Sequence, residues 1–180
     1  MVQSCHFQAI ILFWNPSKIY LLNTLDYNMP EFSITSADFE EGGEIPKKFG
    51  YKHGNEVPLI IPTGLPVETG SVAIIMDDPD AMKAVGKVWV HYLTHFSYNP
   101  AAEAGEEMIE ESDIEGLNDF GEIGYGGPAP PDGRHTYIFK AYALDIIVLD
   151  LKEGFSKQEL EDAMKGHILA EATLTCTYAP

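Results

Sequence analysis

The chain has 180 residues, 45% of them hydrophobic and 22% charged, which is the composition of an ordinary globular domain with a sizeable core. Its 28 acidic residues outnumber its 11 basic ones, giving a formal charge of −17. That balance opposes nucleic-acid binding and docking on anionic membranes, both of which need clustered Lys and Arg. In chain order, residues 1–28 read as an N-terminal extension, with an over-called start or a docked helix or strand as alternatives, ahead of a domain at 29–180. "FQAIILFW" (7–14) is apolar but far shorter than the roughly 20 residues a membrane span needs. "EFSITS" (31–36) alternates and predicts a strand with Phe32, Ile34 and Ser36 on one face. "PLIIPTGLPVETG" (58–70) reads as a Pro/Gly connection. "SVAIIMD" (71–77) is a continuous apolar run, expected for a strand buried on both faces. "VWVHYLTHF" (88–96) is a strand on which period two places Trp89, His91, Leu93 and His95 together. The stretch 99–117 carries seven acids between Glu103 and Glu115 and reads as a solvated loop or short helix. "HTYIFKAYAL" (135–144) and "EATLTCTY" (171–178) are further strands, the first with His135, Tyr137 and Phe139 on one face.

Between the last two strands one helix is signalled. Ser156 and Glu159 make a capping box, and Phe155 with Leu160 is spaced as a hydrophobic staple. Leu160, Ala163, Met164 and His167 then form an apolar face ending near Gly166. Many strands with few helices predict a mainly β fold, a two-sheet antiparallel β-sandwich with Greek-key connections. Cys5 and Cys176 belong to no CxxC motif, so no disulfide framework is expected and a reducing, cytoplasmic setting fits.

The chemistry concentrates in three places. "DDPDA" (77–81) ends the buried strand, and its turn can aim Asp78 and Asp80 into a cleft. His91 lies on the second strand. "GYGGPAPPDG" (124–133) puts four glycines and three prolines directly before His135, a shaped loop of the kind that carries binding residues. Two histidines and an aspartate could hold a transition metal, but the only short-spaced pair is His91/His95. No GxSxG elbow and no activated cysteine suggests nucleophilic catalysis, and "GYGGP" lacks the GK[ST] of a nucleotide loop. What remains is capture of a small anion by His91, His135, Tyr137 and loop amides.

"DDPDA", "VWVHY", "GLNDFGEIGYGGPAPPDGRHTYIFKAYALD" (116–145) and "GHILAEATL" (166–174), in order over residues 29–178, resemble the phosphatidylethanolamine-binding protein family, in particular its bacterial and archaeal Raf-kinase-inhibitor-like branch. The resemblance implies a β-sandwich with a small anion pocket at one end. It implies a non-enzymatic protein that binds phosphoryl-bearing or other anionic ligands without cofactor or metal. A kinase or protease regulated by docking is an alternative, and a cryptic metal-dependent enzyme a further one. Prokaryotic relatives often pair, which adds a homodimer to the expected partners; nucleic acid and integral membrane association are not expected. Carried over by motif, the ligand-binding set is Asp78, Asp80, Trp89, His91, Gly126, Gly127, Pro128, His135 and Tyr137. Met82 stands where the family has proline and Thr136 where it has arginine, and "HGNEVPLIIP" is a worn form of the family's Ser-Pro-Pro-Leu stretch.

Overall fold

The computed structural model describes residues 31–98 and 113–180. The expectations for 1–28, for Cys5 and for 99–112 of the acidic stretch lie outside the described residues. The strands are β1 (Ser33–Ser36), β2 (Ile60–Thr63), β3 (Ser71–Asp78), β4 (Trp89–Ser97), β5 (Ile114–Glu115), β6 (His135–Leu144) and β7 (Ile168–Tyr178). The helices are α1 (Met82–Val85) and α2 (Lys157–Ala163), with a single 3-10 turn at Lys47–Phe49. The fold is mainly β: a five-stranded sheet of order β5-β4-β3-β6-β7 and a two-stranded sheet of β1 and β2, antiparallel throughout.

β3 is the central strand, and all eight of its residues are buried, as its unbroken apolar run predicts. Its alternate side chains feed two cores. Val72, Ile74 and Met76 join Phe32 and Ile34 from β1, Phe139 from β6 and Leu174 from β7 in one cluster. Ala73 and Ile75 face the other way, toward Leu93, Leu144, Phe155, Leu160 and Met164. Burying a side chain such as Leu160 stabilises the fold by about 1.5–3 kcal/mol, and this second cluster is what fixes α2 to the sheet. The predicted capping box is present: the Ser156 hydroxyl accepts from the Glu159 N–H, and Glu159 accepts from the Ser156 N–H at 2.8 Å. The helix stops earlier than its periodicity suggests. Met164 is the C-cap, and Gly166, with φ +86°, turns the chain toward β7, so His167 leaves the helix and pairs with Asp145. The left-handed φ at Gly166 is one that side chains with a Cβ rarely adopt.

Two other expectations are corrected. The 58–70 connection contains β2, a four-residue edge strand in which Pro62 sits opposite Ile34; an edge position tolerates the missing N–H, and it masks the strand in the sequence. The end of the acidic stretch is also a strand, since β5 pairs with β4 through Glu115 and Ile114.

A β-bulge overturns the expected face of β4. Met76 pairs with Tyr92 and Asp77 with Val90, leaving His91 as the extra residue. In such a bulge two consecutive side chains oppose one partner residue, and the alternation changes phase there. Leu93 therefore points into the second core, whereas Tyr92 packs on Tyr125 and His91 on Tyr137 at the first. Trp89 and His91 remain together, but Leu93 and His95 do not share their face. Asp77, 2% exposed, is held on the helix side by Lys140 Nζ at 2.8 Å and Lys157 Nζ at 2.7 Å, tying β3, β6 and α2 by charge.

Candidate functional site

The Asp-Pro-Asp turn at the end of β3 does two jobs with its carboxylates. Asp78 Oδ1 accepts the Ala81 N–H at 3.0 Å, an Asx-type turn that starts α1. Asp78 Oδ2 accepts from His135 Nδ1 at 2.7 Å, which joins β3 to the first residue of β6. Asp80 Oδ2 accepts the Thr136 N–H at 2.9 Å, and Lys83 lies 3.7 Å from its other oxygen. The backbone donor of Thr136 is the main reason why the Asp80 carboxyl is held below the usual carboxylate range. The charge partner of Asp80 is Lys83.

The Gly/Pro loop is positioned from outside itself. Asn55, with φ +55°, uses both ends of its amide: Nδ2 donates to the Tyr125 carbonyl at 3.1 Å, and Oδ1 accepts the Gly127 N–H at 2.7 Å. The Tyr51 N–H donates to the Pro128 carbonyl at 3.0 Å, and the Tyr125 hydroxyl to that of Phe49 at the same distance. Glycine at 127 is required by this approach, because a Cβ there would lie 2.0 Å from the Phe49 carbonyl oxygen. Gly126 presents its carbonyl to His91 Nδ1. That contact makes Nδ1–H the donor and leaves Nε2 as the lone-pair nitrogen of the ring. Burial pushes the His91 pKa down, only partly offset by the Gly126 carbonyl, so this ring is neutral.

These elements enclose a cavity of about 160 Å³. Asp78, His91 and His135 give it a polar end. Trp89, Phe120, Val85 and the Ala129–Pro131 segment give it apolar walls. Phe120 organises the aromatic side, stacking on Tyr51 with centroids 4.1 Å apart and meeting Trp89 and His91 edge-on. His135 is 5% exposed and is held at both ring nitrogens, by Asp78 at Nδ1 and by Asp132 Oδ1 at Nε2, 2.8 Å away. Desolvation works against its protonation, but the two carboxylates outweigh it and its pKa lies above the ordinary histidine value. Tyr137 is fully buried behind the cavity, its ring 5.1 Å from that of His91 and 6.5 Å from that of His135. Burial pushes its phenol up, so its hydroxyl stays a donor. Among the described residues neither the buried Tyr137 hydroxyl nor the buried Trp89 Nε1–H has a hydrogen-bond partner.

Of the nine residues singled out in the sequence, Asp78, Trp89, His91 and His135 line the cavity, Tyr137 backs it, Gly126 and Gly127 fix its loop wall, and Asp80 anchors that end of β6. Pro128 lies on a neighbouring cavity with Lys52, His53 and Tyr178. Sequence reasoning passed over Phe120, Asn55 and Asp132. Asn55 and Phe120 stand in the quoted motif stretches with no periodic signal, and Asp132 differs from a plain turn residue only by standing three before a histidine. Among the described residues no group of three or more His, Cys, Asp or Glu side chains is arranged to hold a metal ion. Nor is any described helix long and apolar enough to cross a membrane.

The family model for "Phosphatidylethanolamine-binding protein" matches residues 35–179. A UPF0098 protein of Methanothermobacter thermautotrophicus is 40% identical over 146 residues, 78% of this chain and 93% of that one. Among solved structures, a phosphatidylethanolamine-binding protein homologue from Chlamydia trachomatis superposes with a TM-score of 0.69 at 34% identity, covering 82% of this chain and 97% of its own. E. coli YbcL, described as a new member of the mammalian family, gives 0.68 at 27% identity, covering 83% and 98%.

Proposed function

This chain belongs to the phosphatidylethanolamine-binding protein family, and we propose that it is a non-enzymatic binding protein which takes a small phosphoryl-bearing or similar anionic ligand in the cavity beside His135. The observation that carries the reading is the Trp89 Nε1–H, a buried donor without an acceptor among the described residues, on a side chain that lines the cavity. Leaving a buried donor unpaired costs about 1–3 kcal/mol, and an acceptor-rich head group entering here recovers that loss. His135 adds a charged donor, and Val85, Phe120 and Pro130 offer apolar surface to the remainder of the ligand. In this reading the return of β6 to lie beside β3 is the Greek-key connection of a sandwich. A reducing, cytoplasmic setting accords with Cys176, a buried free thiol whose pKa burial pushes up to about 12.

The test is a titration with diethyl phosphate, singly charged across the neutral range, and with uncharged triethyl phosphate as control. The expected result is a saturable shift of the Trp89 indole N–H resonance with the diester alone, stronger at pH 6 than at pH 8 because protonated His135 is the better donor. The shift should be lost in His135→Ala. Shifts that do not saturate, or that leave Trp89 unmoved, overturn the reading.

A further inference from the structure

Two carboxylates flank His135, and they are not equivalent. The side chain of Asp78 is 4% exposed, and both its oxygens are committed, one to the Ala81 N–H and one to His135 Nδ1. The side chain of Asp132 is 53% exposed, and among the described residues its one hydrogen bond is to His135 Nε2. It sits on the Gly/Pro loop directly after Pro130 and Pro131, which line the cavity. Asp78 cannot leave without stranding buried donors, whereas Asp132 loses one partner and returns to water. Nε2 is the one hydrogen-bonding direction of His135 that Asp78 does not use. Among the described cations, Lys83, Lys87 and Arg134 are paired with Asp80, Asp119 and Glu44 instead.

We infer that Asp132 is a self-ligand: its carboxylate holds the subsite on His135 Nε2 that the anionic group of a ligand takes, so that binding is an exchange of one anion for another. This rests on the reading of the cavity proposed above. The exchange makes Asp132 a determinant of specificity. A singly charged phosphoryl or carboxylate group leaves His135 between two negative partners, as before, and gains the apolar walls. An uncharged ligand cannot replace the carboxylate, and Asp132 excludes it from the polar end.

The experiment titrates diethyl phosphate and triethyl phosphate into the full chain as wild type, Asp132→Asn and Asp132→Ala, reading the Trp89 indole resonance. Because Asp132 is exposed, both variants are expected to fold, and circular dichroism checks this. The inference expects the diester to bind about three- to tenfold more tightly to both variants than to wild type. It also expects the triester to gain measurable binding in Asp132→Ala. If wild type binds the diester and the variants bind it no more tightly, the self-ligand role is overturned while the cavity reading stands. If no protein binds the diester, the cavity reading fails and this inference falls with it.

Discussion

Replacing Asp78 by alanine removes the acceptor that joins three elements, and the expected loss can be worked from its two bonds. The Ala81 N–H, in a buried turn, loses its partner, which costs about 1–3 kcal/mol. The charged hydrogen bond from His135 goes as well, and breaking a buried pair costs about 3–5 kcal/mol in total. Only the second part depends on pH. His135 has its folded pKa raised above the ordinary histidine value of 6.5, so its contribution is fully present below that pH and is lost as pH rises through the folded value. Urea denaturation of wild type and Asp78→Ala at pH 6 and pH 9 should therefore give a loss of about 3–5 kcal/mol at pH 6 and about 1–3 kcal/mol at pH 9. Asp78→Asn keeps an acceptor for Ala81 and turns an amide N–H toward Nδ1, which favours the neutral ring; it should cost less than alanine and lower the His135 titration midpoint followed by NMR. A loss below about 1 kcal/mol, or one equal at both pH values, would refute the argument that this carboxylate holds a protonated His135.

Two further outcomes are expected. Lys140→Met and Lys157→Met should each cost at most about 1 kcal/mol, because the other lysine still faces Asp77, but the double variant should exceed their sum by about 1–3 kcal/mol in the same denaturation assay; additive losses would mean that Asp77 does not need both. His95, 1% exposed and with neither ring nitrogen partnered among the described residues, has its pKa lowered by desolvation, so it weakens the fold as pH drops below about 6.5. His95→Leu should stabilise the protein by about 1–2 kcal/mol at pH 7 and by more at pH 5; destabilisation at both would show that the imidazole has a partner.

Five strands were legible because they announce themselves locally: β1 and β7 by alternation, β3 by its unbroken apolar run, β4 and β6 by β-branched and aromatic residues between turn formers. The capping box of Ser156 and Glu159 is equally local. What escaped depends on partners far along the chain. Nothing near Pro62 says that its missing N–H faces an open edge, and period-two counting along β4 has no means of seeing an inserted residue at His91. At the site, motif resemblance recovered most of the lining, including Trp89 and His91, even though the face assigned to that strand was half wrong. Asp132 and Phe120 acquire their roles only when β6 and the loop are folded against β3 and β4, and a turn aspartate or a loop phenylalanine has many duller explanations.

The double hydrogen bond of Asn55 to Tyr125 and Gly127 spans 70 and 72 residues of chain, and this has a kinetic meaning. Contacts so distant in sequence close only after most of the loop entropy has been spent, which pairing of β3 with β4 and of β6 with β7 does first. The loop wall of the cavity is accordingly among the last parts to form and among the first released when the protein opens locally. Hydrogen exchange at the Gly127 and Tyr51 amides would then run faster than exchange along β3, and a ligand that fills the cavity would slow them selectively. The binding site would keep its shape only while the segment from Phe49 to Asn55 stays docked, so events on that remote turn, and not only within the pocket, set how long a ligand remains.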